Sequence, residues 1–558
     1  MKVCVVIHDD RARAEIAYAL ATLLERAGLP YEFATPGADA QSSSCLWLHY
    51  GSAGSDAANS IVIPAEDPVL WQTAEPKHVT LDGVPVLNAG EAPSSLSHRH
   101  HGQVRLTFDL ARGAFWLLSR QEELGDGNRD AFGRFDCSAS WLVRHGLAEV
   151  PVVDLYARLL ARVLAEVAVR AGLPLLRKLP WPRGQHYAVV LSHDVDDAGR
   201  FSPRQGLRML GQAISQRSPR GMARGTYYAL AGLGNLLGRQ SDPCWNFEVV
   251  MELEAEAGYR STFFFVPEVG SARRDPPYEV DTPRLRDLLS RLRAGGWEVG
   301  VHGNFDSYLD PEALRAQREK LERVSGGSVR GVRQHYLRLQ VPETFRAQVD
   351  AGFAYDGTVG YRSTVGFRAG VAFPFRPFDP TAGRQLALLE LPLTVMDGSL
   401  FWQLNLEPPE ASARTLALLG AVRSVEGVAV LLWHQRVWYE KRYPGWRQVY
   451  GRAVGYLHEE GLAWVATAGQ VADWWLAREA VQLETISVSG RARRWRYRAG
   501  QDVEGLVFSL HLAGAGRVTV AGAEAAVHAV EDEVRLEFQS LAAGQTFEIE
   551  WTPEAEAS

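Results

Sequence analysis

The fold of this chain is decided by the stretch YAVVLSHDVDD at residues 187–197. An apolar run from Tyr187 to Leu191 is followed at once by Ser-His-Asp-Val-Asp-Asp. Such an uninterrupted apolar run is typical of a strand that is buried on both faces of a parallel sheet. Because alternate side chains of a strand lie on the same side, Asp194 and Asp196 face the same way. The stretch therefore predicts a buried strand that ends in a pair of carboxylates.

Strand-like and helix-like segments alternate around this strand, between about residues 185 and 480. The helical segments carry apolar residues three and four positions apart. This alternation is typical of a parallel sheet covered by helices, and about seven or eight such units predict a complete or distorted (β/α) barrel. The predicted strands after the first are 261–266, 297–301, 331–333, 388–393, 428–433 and 462–466.

The pattern divides the chain into three regions. Residues 1–180 combine short strands with predicted helices at 105–124 and 151–171, which indicates an N-terminal α/β domain with a helical extension. Residues 181–480 form the predicted barrel. Residues 481–558 alternate apolar and polar positions between glycine-containing turns, which predicts a small antiparallel domain resembling a β-sandwich. The predicted fold class is thus α/β, with a β domain at the C-terminus.

Composition and charge exclude several classes of protein. The 558 residues are 46% apolar and 22% charged, as in ordinary globular domains. A net charge of −7 gives no indication of a nucleic-acid partner. The start of the chain does not resemble a signal peptide, and no apolar run is long enough to span a membrane, so we expect a cytoplasmic protein. Four cysteines without a C-x-x-C pair make no disulfide framework. The oligomeric state stays open.

Ionisable residues follow five of the predicted barrel strands. The C-terminal ends of the strands of such a barrel meet at one mouth, where active sites lie. We therefore expect these side chains to converge: Asp194 and Asp196, His302, Arg333 and His335, Asp397, and His434.

Together these residue types are suited to metal-assisted hydrolysis. Of the two strand-end carboxylates, one can bind a metal while the other acts as a base. His302 offers a nitrogen ligand of the kind that zinc prefers. His434 can protonate a leaving group, and Arg333 can hold the basic carboxylate ionised. A bound water, a base, an acid and a Lewis acid are the components of this chemistry.

Four short motifs resemble those of polysaccharide deacetylases of the NodB homology group, carbohydrate esterase family 4. SHDVDD resembles a D-x-D motif, GVRQHY resembles R-x-P-Y, and LLWH resembles L-x-x-H. HGNFD resembles a motif with two histidines four residues apart, in which His302 takes the first position and Asp306 stands at the second. The resemblance covers residues 185–470. Runs such as LLSRQEE, STFFFV and GVRQHYLR are similar to a branch of the family with an extra N-terminal α/β domain.

The resemblance implies a distorted barrel and a deacetylase that acts on a carbohydrate. Its cofactor would be a divalent metal, with zinc as the first expectation. Asp194 would be the general base, oriented by Arg333, and His434 would be the general acid. The metal ligands implied in this way are Asp196, His302 and Asp306.

Further residues are predicted to contact the substrate or to tune the site. The resemblance implies that the backbone N–H of Tyr336 helps to hold the oxyanion, and that Asp397 tunes His434. His335 stands where the family usually has proline, and is either a packing residue or a substrate contact. Beyond the strand ends, Trp438 and Arg368 are predicted contacts at the mouth.

Asp306 leaves alternatives open. Two carboxylates and one imidazole make a harder site, which favours a different metal or weaker binding. If Asp306 points away, His193, His335 or Ser307 can replace it. Two other functions also stay open, namely hydrolysis of an amide that is not on a sugar, and glycan binding by a barrel that has lost catalysis.

Overall fold

The computed structural model describes most of the chain, and the statements below concern those residues. They are 1–35, 45–51, 59–73, 75–100, 103–124, 127–199, 203–236, 242–271, 273–276, 278–490, 492–511, 516–530 and 533–553. Within these ranges, no helix has both the length and the apolar character that a membrane crossing requires.

The N-terminal region is built on a six-stranded sheet with the order β2-β1-β3-β4-β8-β7. All of its neighbours are parallel except β7 and β8. Helices α1, α3 and α5 pack on one another, and a disulfide joins Cys4 to Cys45. The strands are β1 Lys2–Ile7, β2 Tyr31–Ala34, β3 Cys45–Tyr50, β4 Ser60–Ile63, β5 Lys77–Leu81, β6 Val84–Asn88, β7 Ser97–His100, β8 Gln103–Leu106 and β9 Leu175–Lys178. The helices are α1 Arg13–Ala27, α2 Pro68–Thr73, α3 Leu110–Leu118, α4 Trp141–Arg144 and α5 Val152–Arg170.

The predicted helix at 105–124 is wrong at its start. Residues 105 and 106 end β8, and α3 begins only at Leu110. The side chain of Asp109 accepts a hydrogen bond from the backbone N–H of Arg112, which caps the helix at that point.

The central region contains a nine-stranded sheet whose pairs are all parallel. Its strands are β10 Tyr187–Val195, β11 Thr262–Phe265, β12 Glu298–Gly303, β13 Gly331–Gln334, β14 Tyr355–Asp356, β17 Leu389–Glu390, β18 Val395–Met396, β19 Val428–Leu432 and β20 Ala463–Ala466, and a separate ribbon pairs β15 Phe378–Asp379 with β16 Arg384–Gln385. The helices are α6 Pro203–Ser215, α7 Pro219–Leu236, α8 Phe247–Glu256, α9 Pro283–Ala294, α10 Pro311–Ser325, α11 Glu343–Asp350, α12 Pro408–Ser424, α13 Trp446–Glu460 and α14 Ala468–Glu479.

This sheet has the mixed α/β character that the alternation predicts. The order is β17-β14-β13-β12-β11-β10-β19-β18, with β20 as a further partner of β10. Among the described strands no pairing joins β17 to β18, so the sheet is an open half-barrel. The central strand β10 is buried along its whole length, and it carries Asp194 next to its last residue.

The C-terminal region consists of two four-stranded antiparallel sheets. Aromatic side chains of the two sheets contact each other, since Tyr497 and Phe547 lie against Phe508. Leu175–Lys178 precedes the central sheet in the chain, yet it pairs with β23 as the edge of one of these sheets. The strands are β21 Val481–Ser489, β22 Ala492–Ala499, β23 Val503–His511, β24 Gly516–Ala521, β25 Ala525–Val530, β26 Glu533–Leu541 and β27 Thr546–Pro553.

Candidate metal and active site

The C-terminal ends of the central strands converge on one cavity of about 340 Å³, a size suited to a small ligand. Most of the predicted site residues line it, and several further residues join them. The lining includes Asp194, Asp196, Asp197, Asp275, His302, His335, Tyr336, Trp402, His434 and Arg436.

Asp196, His302 and His335 form the cluster that best fits a metal ion. The Nε2 atoms of His302 and His335 lie 3.5 Å and 3.4 Å from Oδ1 of Asp196. One potential ligand atom from each residue lies within 4.8 Å of the other two. Oδ1 of Asp196 is buried and has no hydrogen-bond partner. A buried carboxylate oxygen without a partner is costly, and a cation between these atoms would satisfy it.

Hydrogen bonds behind the cluster orient both imidazoles. Nδ1 of His302 donates to the carbonyl oxygen of Arg333 at 2.9 Å, which leaves Nε2 as the unprotonated nitrogen of the neutral ring. Nδ1 of His335 lies 2.9 Å from Oδ1 of Asp275, a buried carboxylate. Carboxylate and carbonyl partners of this kind orient histidine ligands at metal sites. Two imidazoles and one carboxylate are a ligand set that zinc and several other divalent metals accept.

The structure does not bring Asp306 to this cluster. Its side chain is exposed, and it lies outside the lining of the cavity. The side-chain oxygen of Asn304 accepts hydrogen bonds from the backbone N–H groups of Asp306 and Ser307, which turns the chain away after β12. His335, one of the substitutes named from the sequence, is the third member instead.

Asp194 is held as a carboxylate beside the cluster. Nη1 of Arg333 donates to Oδ1 of Asp194 at 2.9 Å and to Oγ of Ser192 at 3.0 Å. Burial acts to raise the pKa of Asp194, but His302 and Arg333 outweigh it and lower that pKa below its usual range. Asp194 is therefore ionised at neutral pH, as a general base must be.

His434 and Asp397 form a second pair at the cavity. Nδ1 of His434 lies 2.8 Å from Oδ1 of Asp397, whose Oδ2 accepts from the backbone N–H of His434 at 2.9 Å. Burial disfavours the charged imidazole, but Asp397 and Asp196 outweigh it and raise the pKa of His434 to about 10. His434 consequently carries a proton at neutral pH, and its Nε2 faces the cavity side, 3.3 Å from Oδ2 of Asp196.

Arg436 is a site residue that the sequence analysis missed. Its Nη2 lies 3.0 Å from Oδ2 of Asp196, and its Nη1 lies 3.2 Å from Oδ2 of Asp197. The only signal in the sequence is its position two residues after His434, on the turn that follows the strand. Together with the histidines, Arg436 compensates the acidic end of β10.

Two predicted mouth residues lie elsewhere. Trp438 is buried against His193 and Tyr450, so it is a packing residue. Arg368 is buried and donates from Nε and Nη2 to the carboxylate of Glu123 at 2.9 Å and 2.7 Å. Neither lines the cavity. Trp402, an aromatic residue that the sequence did not indicate, lines the cavity together with Tyr336 and is 51% exposed.

Tyr336 lies at the cavity in contact with the N-terminal region. Its backbone has φ +62°, in the left-handed region. Nη1 of Arg134 donates to its carbonyl oxygen at 2.9 Å, and the ring of Phe132 stacks on its ring with centroids 5.2 Å apart. The loop before α4 therefore completes one wall of the cavity, which no strand-end pattern predicts.

Comparisons with known proteins concern different parts of the chain. Residues 4–168 match a model described as a family of unknown function, DUF7033. No curated protein matches the chain.

Solved structures match over about half of the chain. One is a Mycobacterium smegmatis protein assigned as a polysaccharide deacetylase, with 20% identity, coverage of 56% of this chain and 97% of that one, and a TM-score of 0.37. Another is the chitin deacetylase of Colletotrichum lindemuthianum, with 15% identity, coverage of 53% and 89%, and a TM-score of 0.26. A third is a CE4 family pseudoenzyme from Bacillus anthracis, with 12% identity, coverage of 53% and 66%, and a TM-score of 0.25.

The likeness is thus to polysaccharide deacetylases, as the motifs indicate. At these identities and TM-scores it assigns neither an activity nor a substrate to this chain, and one of the three is a pseudoenzyme. The function has to be inferred from the side chains of the cavity.

Proposed function

We propose that this protein is a metal-dependent hydrolase that removes acetyl groups from an N-acetylated carbohydrate. The observation that carries the proposal is one arrangement in one cavity. A cluster of potential metal ligands, Asp196 with His302 and His335, lies next to an ionised carboxylate, Asp194, and a protonated imidazole, His434. A module that only binds a ligand has no need of a base and an acid next to such a cluster.

Asp194 would accept a proton from the attacking water. Its ion pair with Arg333 keeps Asp194 ionised and restricts the rotation of its side chain. Oδ2 of Asp194 therefore stays on the side of His302, 3.8 Å from Nε2 of that residue. A positioned base of this kind contributes about 10²–10⁴-fold to a rate.

His434 would donate its proton to the departing amine nitrogen. Asp397 holds the imidazole from behind through Nδ1, which leaves Nε2 to act as the acid. This division between a depressed carboxyl pKa and a raised imidazole pKa allows a base and an acid to coexist at one pH.

A divalent ion, with zinc as the first candidate, would act as a Lewis acid that polarises the acetyl carbonyl. Asp196, His302 and His335 are the residues that would hold it. The backbone N–H of Tyr336 is the proposed further donor to the developing oxyanion.

The carbohydrate part of the proposal draws on the motif resemblance and on the size of the cavity. Trp402 adds an exposed aromatic face at its mouth, and aromatic rings of this kind suit the apolar face of a sugar.

The test is acetate release by the metal-loaded protein from a panel of N-acetylated sugars, O-acetylated sugars and amides that are not on sugars. We expect turnover of an N-acetylated sugar, and a loss of at least about 10²-fold in kcat for Asp194→Asn. Asp306→Asn is the matched control, since Asp306 is an exposed carboxylate outside the cavity, and it should retain full activity.

Other outcomes would revise the proposal in definite ways. Turnover of amides alone would show that the substrate is not a sugar. A protein that binds metal and a glycan but releases no acetate from any compound would be a binding protein, and the hydrolase proposal would be wrong.

A further inference from the structure

The lining of the cavity contains arginines as well as carboxylates. Four arginines line the cavity, and two of them are engaged by carboxylates. Arg436 pairs with Asp196 and Asp197, and Arg134 pairs with Asp130 at 2.5 Å. The acidic residues of the lining are engaged as well, because Arg333 pairs with Asp194 and His335 pairs with Asp275.

Arg274 and Arg362 are the other two arginines, and we call them the arginine rim. Within the described part of the chain, neither has a carboxylate within 4 Å. Arg274 lies over the ring of Phe305, with 4.1 Å from its guanidinium carbon to the ring centroid. Arg362 is half-buried, and burial and the charge of Arg134 lower its pKa, although the more distant Asp130 acts in the opposite direction. Two partly buried guanidinium groups without a carboxylate in contact are unfavourable unless an anion completes the site.

We propose that the arginine rim binds an anionic group of the substrate, a phosphate or a carboxylate attached to the sugar. The proposal rests on the proposed function only in assuming that the cavity binds a sugar. Guanidinium groups bind phosphate and carboxylate through paired N–H donors, and aromatic contacts such as that of Phe305 hold the group in place. The substrate class would then be a phosphorylated or acidic amino sugar rather than a neutral glycan.

The test measures binding of deacetylated sugars, which a deacetylase does not consume. The probes are glucosamine 1-phosphate, glucosamine 6-phosphate and muramic acid, each compared with glucosamine by calorimetry on the metal-loaded protein. We expect at least one acidic sugar to bind about 10-fold or more tightly than glucosamine, as a charge-assisted contact should give. The phosphate and carboxylate arms identify which anion is preferred.

The double variant R274Q/R362Q should lose most of this preference and retain its metal. Arg273→Gln is the matched control, because Arg273 is an exposed neighbour outside the cavity lining. Equal affinity of the wild type for acidic sugars and glucosamine would overturn the proposal. A preference for an acidic sugar that is retained in R274Q/R362Q would also overturn it, since the anion would then bind at the metal. Because this experiment measures binding and not acetate release, it tests the anion preference even if the protein proves not to be a hydrolase.

A different part of the molecule carries a second inference. Helices α6 and α7 form a hairpin that follows β10, and each contacts the other far more than it contacts any other element. Gly206 and Gly225 lie where the helices meet, since a Cβ atom at either position would clash with Ala229 or Leu210. The two helices of the hairpin thus pack closely against each other.

Its outer surface is both apolar and basic. Leu207, Ile214, Leu230 and Leu233 are 66%, 58%, 63% and 47% exposed. Residues 203–236 contain five arginines and no aspartate, glutamate or lysine, and Arg217, Arg220 and Arg224 are exposed. Exposed aliphatic residues among arginines on helices are typical of segments that lie in the interface of an anionic membrane.

We propose that the α6–α7 hairpin docks on an anionic lipid surface. A second copy of this chain is a poorer occupant, because two acid-free, arginine-rich hairpins would repel each other.

Sedimentation with vesicles tests this docking. We expect binding to vesicles of phosphatidylcholine with 30% phosphatidylglycerol and little binding to phosphatidylcholine alone. The variant L207S/L230S should lose at least about 10-fold in binding, while V488S/V527S, which changes exposed valines of the C-terminal sheets, should bind as the wild type does. Equal binding to both vesicles, no binding to either, or full binding by L207S/L230S would overturn the proposal.

Discussion

Two buried clusters of charged side chains differ in how completely their polar atoms are satisfied. The first, which we call the junction cluster, joins Glu123 and Arg120 of the N-terminal region to Arg368 of the central region. Glu123 accepts hydrogen bonds from Arg120 at 2.9 Å and from both Nε and Nη2 of Arg368, so each charge has a partner. The second, which we call the strand-end cluster, consists of Asp196, His302 and His335. Oδ1 of Asp196 is buried there without a hydrogen-bond partner, beside the Nε2 atoms of the two imidazoles. Burial and charge alone do not separate a structural cluster from a functional one, whereas an unsatisfied atom that faces a cavity does.

The largest expected effect is the loss of metal from the strand-end cluster. His335→Ala removes one of the three proposed ligands and leaves Asp196 and His302, so the purified variant should contain no metal, while Asp306→Ala should retain about one ion per chain. Elemental analysis of wild type and both variants measures this directly. Metal retained in His335→Ala and lost in Asp306→Ala would instead support the assignment made from motif spacing.

The next effect concerns the junction cluster and should leave metal binding unchanged. Glu123→Gln leaves Arg368 buried without a counter-charge and Arg120 with Glu122 alone, which should lower the free energy of unfolding by about 3–5 kcal/mol. Denaturant unfolding measures the change. Glu149→Gln, in a half-exposed pair with Arg414, is the control and should cost less than about 1 kcal/mol. A similar loss in both variants would remove the distinction between the clusters.

The same cluster predicts a pH dependence. Burial acts to raise the pKa of Glu123, but Arg368 and Arg120 outweigh it and lower that pKa from 4.5 to about 2. A depressed pKa contributes stability above the unfolded-state value, and this stability is lost as pH falls toward the folded-state value. The difference in free energy of unfolding between wild type and Glu123→Gln should therefore be constant from pH 8 to about 5 and shrink below about 4.5. A difference that grows in acid would contradict this assignment.

The smallest effect is expected for a residue that contacts a proposed metal ligand and is not itself a ligand. Asp275→Asn weakens the hydrogen bond that orients His335, which should reduce metal affinity about 10- to 100-fold without abolishing binding. Competition with a chelator measures the affinity. Asp310→Asn, a change at the helix cap of α10, is the matched control on the neighbouring loop and should leave the affinity unchanged.

Residues whose place depends on a strand could be predicted from the sequence. Asp194, His302, Arg333 and His434 follow apolar runs, and a parallel sheet brings the ends of such runs together whatever the loops do. The strand positions were accordingly close to those observed, for example 331–333 predicted and Gly331–Gln334 found.

Residues that lie farther from the strand ends could not be predicted in this way. The direction of Asp306 depends on hydrogen bonds to the side chain of Asn304, and Trp438 is drawn into the core by His193 and Tyr450. Arg368 finds Glu123 across a large separation in sequence. Such contacts are set by tertiary structure, which neither periodicity nor motif spacing records.

The pairing of β9 with β23 has a consequence for synthesis of the chain on the ribosome. Lys178 pairs with Phe508, which is translated about 330 residues later. The edge strand β9 therefore cannot form its pairing with β23 until that part of the chain has been synthesised. At about 5–20 residues per second, the wait is roughly 16 to 66 s. During that time the backbone groups of Leu175–Lys178 that pair with β23 have no partner, and the nascent chain presents an open strand edge to chaperones or to neighbouring nascent chains.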